Sequence, residues 1–304
     1  MSVPNDLYTL HTDETDFGRP VLLHSMAGFL DAGSAGRLAV EHLMDTHEHR
    51  RIATFKLDGL YDYRARRPRM TFITDHYETV DLPELVLSEL RTAAGGRFLL
   101  LHGVEPDFGW QGVVAAVIEL VDRFDVSLTV GLHAIPWPAP HTRPVSLTAH
   151  ATDRSLIEGR TSWVGALEVP GHIAGLLELE LGQTEHPAMG FAAHVPHYLA
   201  AADYPRAAVA LLEAISSATG LDLPLDALRE AADRTDREIA AQVATSPENL
   251  EAVRALENQY DAFVSQQGQP QADAISGPLP TGDEIAAQVE SFLADMDARG
   301  RDDN

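Results

Sequence analysis

The stretch Pro20-Val-Leu-Leu-His-Ser-Met-Ala-Gly-Phe-Leu-Asp-Ala-Gly-Ser-Ala-Gly-Arg-Leu-Ala-Val-Glu-His-Leu43 reads as strand, glycine-bearing turn and helix. Val21 to Met26 is a short apolar run without clean alternation, the pattern of a strand covered on both faces in a parallel sheet. Gly28, Gly33 and Gly36 punctuate a turn, Asp31 or Ser34 can cap the helix that follows, and Leu38, Leu43 and Met44 recur at helical spacing. A glycine turn that opens a helix at the carboxyl edge of a sheet offers backbone N–H groups and the positive end of the helix dipole to an anion. Gly33 and Ser34 are therefore candidate phosphate-binding amides, although neither G-x-G-x-x-G nor a phosphate loop ending in Gly-Lys-Ser/Thr is present.

Outward from this unit, Arg51 to Leu57 reads as a second strand, and Met70 to Ile73 with Tyr77 to Val80 as a β-hairpin. A helix is expected near Leu82 to Ala93, followed by a buried strand at Phe98 to His102. The turn Gly103-Val-Glu-Pro-Asp-Phe-Gly-Trp110 opens a helix through Val113, Val117 and Leu120, and Val126 to Ile135 is the next strand. Strand, helix, strand implies right-handed parallel crossovers. Val145 to His150 and Met189 to Val195 complete the strands, with a helix at Gly171 to Leu181 between them.

From Asp203 onward alanine-rich helices take over, at Tyr204 to Ala218, Leu225 to Val243 and Pro247 to Val264. The expected organisation is an α/β body over residues 18–220, a helical extension over 221–265, a linker over 266–280 and an amphipathic helix over 281–298. The last opens with the capping box Thr281 and Glu284 and sets Ile285, Val289, Phe292, Leu293 and Met296 on one face.

Composition narrows the function. The 304 residues are 45% hydrophobic, enough for a sizeable core, and the net charge of −24 disfavours nucleic acid and anionic membranes. Cysteine is absent, which removes disulfides, thiolate zinc sites and cysteine nucleophiles; Lys56 is the single lysine. With no basic-plus-apolar leader and no apolar run of membrane length, a cytoplasmic protein is expected.

Three further clusters carry chemistry. Tyr61, Tyr63, Arg64, Arg66 and Arg67 concentrate positive charge and aromatic rings in an acidic chain. Pro136-Trp-Pro-Ala-Pro-His-Thr-Arg-Pro144 holds His141 and Arg143 on a stiff loop. His194-Val-Pro-His197 invites a metal, but no third ligand stands at metal spacing, so no metal and no cofactor is expected.

Taken jointly, Gly28 to Gly36, Asp58-Gly-Leu-Tyr-Asp-Tyr-Arg-Ala-Arg-Arg-Pro68, Gly103 to Asp107 with Trp110, Pro140-His-Thr-Arg-Pro144, Val169-Pro-Gly171 and His194-Val-Pro-His-Tyr198 resemble bacterial members of the proteasome assembly chaperone family, on the branch similar to the second chaperone subunit. The resemblance spans roughly Val21 to Phe292. It implies a three-layer α/β/α fold with a mainly parallel sheet, related to nucleoside phosphorylases and peptidyl-tRNA hydrolases, and a self-associating dimer or trimer. It also implies a non-catalytic role in holding another protein, such as proteasome α-type subunits. Many assembly chaperones end in a hydrophobic-Tyr-any tail, whereas this chain ends Gly300-Arg-Asp-Asp-Asn304, so a contact would use another surface: the Tyr61 to Arg67 loop, or Phe292 and Met296 of the last helix. The competing reading is a phosphate- or nucleoside-binding enzyme using Gly28, Asp31, Gly33, Ser34, Glu105, His141 and Arg143, with His194 and His197 beside them. An ATP-dependent carboxylate–amine ligase ranks last, because such enzymes hold ATP with paired lysines.

Overall fold

In the computed structural model, residues 6–28, 30–162 and 165–267 are described. The expected helix at 281–298, with Phe292 and Met296, and the expected linker beyond Gln267 lie outside them. Ten strands form: β1 (Tyr8–Leu10), β2 (Val21–Ala27), β3 (Glu48–Phe55), β4 (Arg69–Ile73), β5 (His76–Asp81), β6 (Leu85–Arg91), β7 (Arg97–Val104), β8 (Leu128–Trp137), β9 (Leu147–Ala151) and β10 (Ala188–Pro196). Six α-helices accompany them: α1 (Ala35–Thr46), α2 (Trp110–Arg123), α3 (Ile173–Gln183), α4 (Pro205–Thr219), α5 (Asp226–Ala244) and α6 (Pro247–Gln267).

Eight strands make one sheet in the order β1-β3-β6-β7-β2-β8-β10-β9, and β4 pairs only with β5. The centre, β7-β2-β8-β10, is parallel, while β1, β6 and β9 run against their neighbours. Two antiparallel steps bring β3 back into the direction of β7, so β3, β7, β2, β8 and β10 all end at one edge. The crossover from β7 through α2 to β8 skips a strand, and β2 fills the gap.

Consecutive residues of the central strands serve opposite faces. Leu23, Leu100 and Val130 pack under α1 and α4, whereas Leu22, Leu99 and Leu101 pack under α2 and α3. Burial on both faces is why these strands read as continuous apolar runs. The result is the expected three-layer α/β/α arrangement with C-terminal helices. Helix α4 ends on Gly220 in the left-handed conformation, and beyond it Leu228 and Ala232 of α5 join the same core as α4.

The helix expected near Leu82 to Ala93 is instead β6, in which every residue from Leu85 to Leu90 is buried. Leu and Glu favour helix locally, but Leu85 and Leu87 pack on one side of the sheet and Leu90 on the other, and pairing with both β3 and β7 decides the outcome. Glu89, 1% exposed, is held in this strand by the guanidiniums of Arg50, Arg91 and Arg97.

A row of histidines crosses one face of the sheet. His24 of β2 stands beside Gly131, Gly131 beside Gly190, and Gly190 beside His150 of β9. A Cβ on Gly131 would lie 2.9 Å from the His24 ring, and one on Gly190 would lie 2.3 Å from the His150 ring, so the two glycines floor the space the rings occupy. His133 lies 5.3 Å from His150 and 5.8 Å from His172, ring centre to ring centre. Glu178 of α3 accepts from His150 at 2.8 Å. His172 caps α3 by accepting the Gly175 N–H, which requires an unprotonated Nδ1. Burial pushes the His24 pKa down to about 4 and that of His133 down to about 3, with the neighbouring histidines adding to the shift on His133.

Two outcomes follow from this packing. Gly103 has φ of 131°, and a Cβ there would meet the Glu84 carbonyl oxygen at 2.0 Å; Gly103→Ala is expected to cost more than about 2 kcal/mol in urea unfolding. For the histidines, the unfolded chain binds protons below about pH 6.5 while folded His24 and His133 stay neutral, so stability falls as pH drops from 6.5 toward 4. The urea midpoint measured across that window should decline with acid, and His24→Leu should make the decline shallower.

Candidate functional site

The carboxyl edge of the sheet gathers most of the residues singled out in the sequence. Strand β2 ends at Ala27, and Gly28 passes so close to Glu105 that a Cβ would lie 1.9 Å from its carboxylate. Gly33 and Ser34 adopt positive φ, and Asp31 accepts the N–H of Gly36 at 2.6 Å and of Arg37 at 2.9 Å. Burial pushes the Asp31 carboxyl up, and these two amides pull it back. The Gly33 N–H donates to Ala200, the Ser34 N–H to the Asp31 carbonyl, and the Ala35 N–H to Ala32. The amides expected to hold phosphate are thus spent on the chain itself, with a carboxylate in the place an anion would take.

Glu105 is equally committed: its Oε1 accepts the Ile173 N–H at 2.8 Å and anchors the start of α3. His141 packs against Tyr198, whose hydroxyl accepts the His141 N–H at 2.8 Å and meets Nδ1 at 2.7 Å. Burial lowers the His141 pKa. Arg143 pairs with both oxygens of Asp261 at 2.8 and 2.7 Å, Thr142 donates to Glu257 at 2.5 Å, and Tyr260 reaches the Pro144 carbonyl. The proline-stiffened loop is therefore the seat of α6, and Arg143 does not face the glycine turn. The two segments do come to one edge. Both lean on residues 197–204, through the Gly33 contact with Ala200 and the His141 contact with Tyr198, but their polar groups meet that segment and not each other.

His194 stacks on Trp137 at 4.2 Å and is bracketed by Ser146 and Thr148, each 2.9 Å from a ring nitrogen; burial pushes its pKa down to about 4. His197 packs edge-on to Tyr198, its pKa also lowered by burial. Among the described residues no group of three or more histidine, cysteine or carboxylate side chains is placed to hold a metal.

The Tyr61 to Arg67 loop differs from these satisfied groups. Arg66 donates to the Glu105 carbonyl at 2.9 Å and to Asp107 at 2.7 Å, and its guanidinium covers the Tyr61 ring at 4.2 Å. Tyr61 meets Tyr63 edge-on at 5.0 Å. Burial raises the Asp107 pKa, but the Asp62 N–H and Arg66 outweigh it and hold the carboxyl low. These contacts rivet the loop to the turn after β7. Arg64, Arg67 and, just beyond, Arg69 are exposed and make no ion pair among the described residues.

Beside them projects the β4–β5 hairpin, whose residues are all exposed, with Phe72 at 56%, Tyr77 at 67% and Met70 at 54%. Phe108, 54% exposed, stands on the neighbouring turn. Sequence reading marks the loop and the hairpin but misses Arg69, Phe108 and the histidine row; three unbalanced arginines flanking an amphiphilic hairpin, and histidines recurring inside apolar strands, were the available signals.

The family model of the PAC2 family matches residues 25–243. No curated protein matches. A Mycobacterium tuberculosis protein of unknown function is similar in structure, with TM-score 0.83 and 45% identity, covering 86% of this chain and 91% of its own. A Corynebacterium glutamicum protein of unknown function follows, with TM-score 0.81 and 36% identity over 86% of this chain and 98% of its own. A proteasome-assembly chaperone homologue from Mycobacterium tuberculosis superposes with TM-score 0.71 and 28% identity, over 77% of this chain and 99% of its own. With the sheet order, the committed glycine turn and a family match reaching from β2 into α5, the chain belongs to the PAC2 family.

Proposed function

We propose that this chain is a non-catalytic protein-interaction module that works as a chaperone-like holder, with proteasome α-type subunits as its partners. The observation that carries the reading is the contrast along the sheet edge. The groups an enzyme would need there are consumed by internal bonds, whereas Arg64 and Arg67 with Phe108 and the hairpin are exposed, beside the half-buried rings of Tyr61 and Tyr63. Exposed aromatic and arginine side chains are the residue types that carry binding energy at protein interfaces. The likeness to a proteasome-assembly chaperone homologue at 28% identity supports the choice of partner.

The phosphate- or nucleoside-binding alternative loses its proposed donors, because the Gly33 and Ser34 amides and Arg143 are already bonded within the chain. The ligase alternative lacks the second lysine. The acidic chain repels nucleic acid and anionic membranes, no helix among the described residues is long and apolar enough to cross a membrane, and the proposed compartment is the cytoplasm.

Self-association belongs to the same reading. A two-stranded hairpin is marginal alone in water, and among the described residues β4–β5 leaves Met70, Phe72, Tyr77 and Val80 exposed and pairs with no other strand. A second copy of the chain would cover them.

Light scattering after size exclusion, on the chain alone and mixed with the α subunits of its source, tests both statements. The mixture is expected to give a shared peak, and Arg64→Glu/Arg67→Glu to weaken that complex about tenfold at low salt. Two unshifted peaks would remove the proteasome partner. For the chain alone, Phe72→Glu/Tyr77→Glu is expected to lower the mass from dimer or trimer to monomer.

A further inference from the structure

Arg64, Arg67 and Arg69 place three exposed arginines, which make no ion pair among the described residues, within six positions of a chain of net charge −24. Elsewhere on the described surface Arg37, Arg51, Arg206 and Arg229 each hold a carboxylate, and the other exposed arginines without an ion pair, Arg123, Arg154, Arg234, Arg237 and Arg254, are spread over α2, the turn after β9, α5 and α6. Around the rim at Arg64 to Arg69, Asp107 is engaged by Arg66 and the Asp62 amide and Asp62 by the amides of Arg64 and Ala65, while Asp81 stands opposite Arg69 in the hairpin register without forming an ion pair. Next to the rim lies an open hollow of about 570 Å³ lined by Phe108, Trp110 and their neighbours. A partner for this surface needs an apolar ridge to enter the hollow and carboxylates to meet the guanidiniums.

One such segment belongs to the chain itself. Residues 281–298 carry Ile285, Val289, Phe292, Leu293 and Met296 at helical spacing. They also carry Asp283, Glu284, Glu290, Asp295 and Asp297, and neither lysine nor arginine. On a helix these carboxylates fall on both flanks of the apolar stripe.

Reach is sufficient. Helix α6 is fixed to the loop after β8 by the Arg143–Asp261 pair, and Gln267 lies six residues past Asp261, about 9 Å along the helix. Strands β3 and β8 end at the same edge, four strand spacings apart, or about 19 Å. The fourteen steps from Gln267 to Thr281 can span roughly 45 Å.

We propose that Thr281–Ala298 docks in cis across the Arg64, Arg67 and Arg69 rim, its apolar stripe over Phe108 and the Trp110 hollow and its carboxylates on the three free guanidiniums. The chain then covers its own interaction surface, and a partner must displace this segment to bind. The inference rests on the interface reading only for what the docking regulates. Its test uses no partner, so the docking and that reading can fail separately.

The absence of cysteine makes the test direct. Full-length Ala65→Cys/Ser291→Cys is treated with a short bis-maleimide, with Ser217→Cys/Ser291→Cys on the exposed side of α4 as control, and isotopically labelled and unlabelled chains are mixed before linking. Cross-linked peptides are read by mass spectrometry. The 65–291 link is expected within single chains at about five times the yield of the control or more. It should fall toward the control in an Arg64→Glu/Arg67→Glu/Arg69→Glu background and, with the arginines intact, on raising salt to about 0.5 M, where exposed charges are screened over a few ångströms. Equal yields at 65 and 217, or a yield indifferent to both charge reversal and salt, would overturn the proposal. Links of mixed isotope would overturn docking in cis and place the segment on a second copy.

Discussion

The bond pair between the Asp31 carboxylate and the N–H groups of Gly36 and Arg37 sets what the carboxyl edge of this sheet can do. In open α/β proteins that edge binds ligands because helix N-termini leave donors unsatisfied there. Here the chain supplies the anion. The next amides back, Ser34 and Gly33, donate to Asp31 and Ala200, and the Tyr204 N–H returns a bond to Gly33. The glycine turn is thereby locked to the segment that starts α4. Glu105 repeats the device at α3, accepting the Ile173 N–H while its side chain covers Gly28. Two helices are capped by carboxylates from neighbouring loops, so the edge is a rigid platform and not an open cradle. What it presents outward is side-chain surface, the medium of protein recognition.

Electrostatics distribute along the same lines. At the far side of the sheet Glu89 is almost wholly buried and meets Arg50, Arg91 and Arg97, and Arg50 and Arg97 also reach Glu14. The Arg97 guanidinium lies 4.4 Å over Phe17, which itself packs edge-on against Phe124 at 4.9 Å. This network fastens the segment between β1 and β2 across the sheet. Removing one partner would strand a buried charge, which is far more costly than loss of an exposed pair. Charge pairing is thus spent on holding loops to strands, and Arg64, Arg67 and Arg69 are three close-set arginines that it leaves exposed. Screening limits their field to about 10 Å at ordinary salt, so they select among partners already close.

The elements whose sequence pattern matches their final environment were legible. The Pro20 to Leu43 unit, the buried strand around Phe98, the hairpin and the helices after Asp203 all formed where local pattern and burial agree. β6 was not legible, because a Leu- and Glu-rich run buried on both faces has no period, and its strand state comes from β3 and β7, which lie far off in sequence. The second strand was placed about three residues late, since the exposed start Glu48 to Arg51 carries no apolar signal. The bonding state of the candidate site was not legible for a related reason. Sequence places Gly33, Ser34, His141 and Arg143 near one edge but says nothing of which donors are already satisfied. Ala200, Tyr198 and Asp261, which bond Gly33, His141 and Arg143, are remote in the chain. The histidine row was hidden because it exists only in register, through Gly131 and Gly190 between His24 and His150.

The edges of the sheet bear on how copies of the chain would meet in the proposed self-association. β1 has three residues and β9 five, and each lies antiparallel to its single neighbour. Short edges offer few unpaired groups and resist strand addition. The β4–β5 hairpin stands apart from this sheet, its Phe72 and Tyr77 rings packed edge-on at 5.1 Å and its register broken by an irregularity between Thr71 and Phe72. That irregularity interrupts the ladder and adds twist, which works against stacking of hairpins edge to edge. Contact through the faces remains, where Met70, Phe72, Tyr77 and Val80 are exposed. Face packing buries apolar area without continuing a ladder, so it favours a closed assembly of few copies over open polymerisation. The same hairpin starts two residues after Arg67, which puts the proposed self-contact and the arginine rim side by side, so that assembly through the hairpin would alter how much of the rim is accessible to other segments.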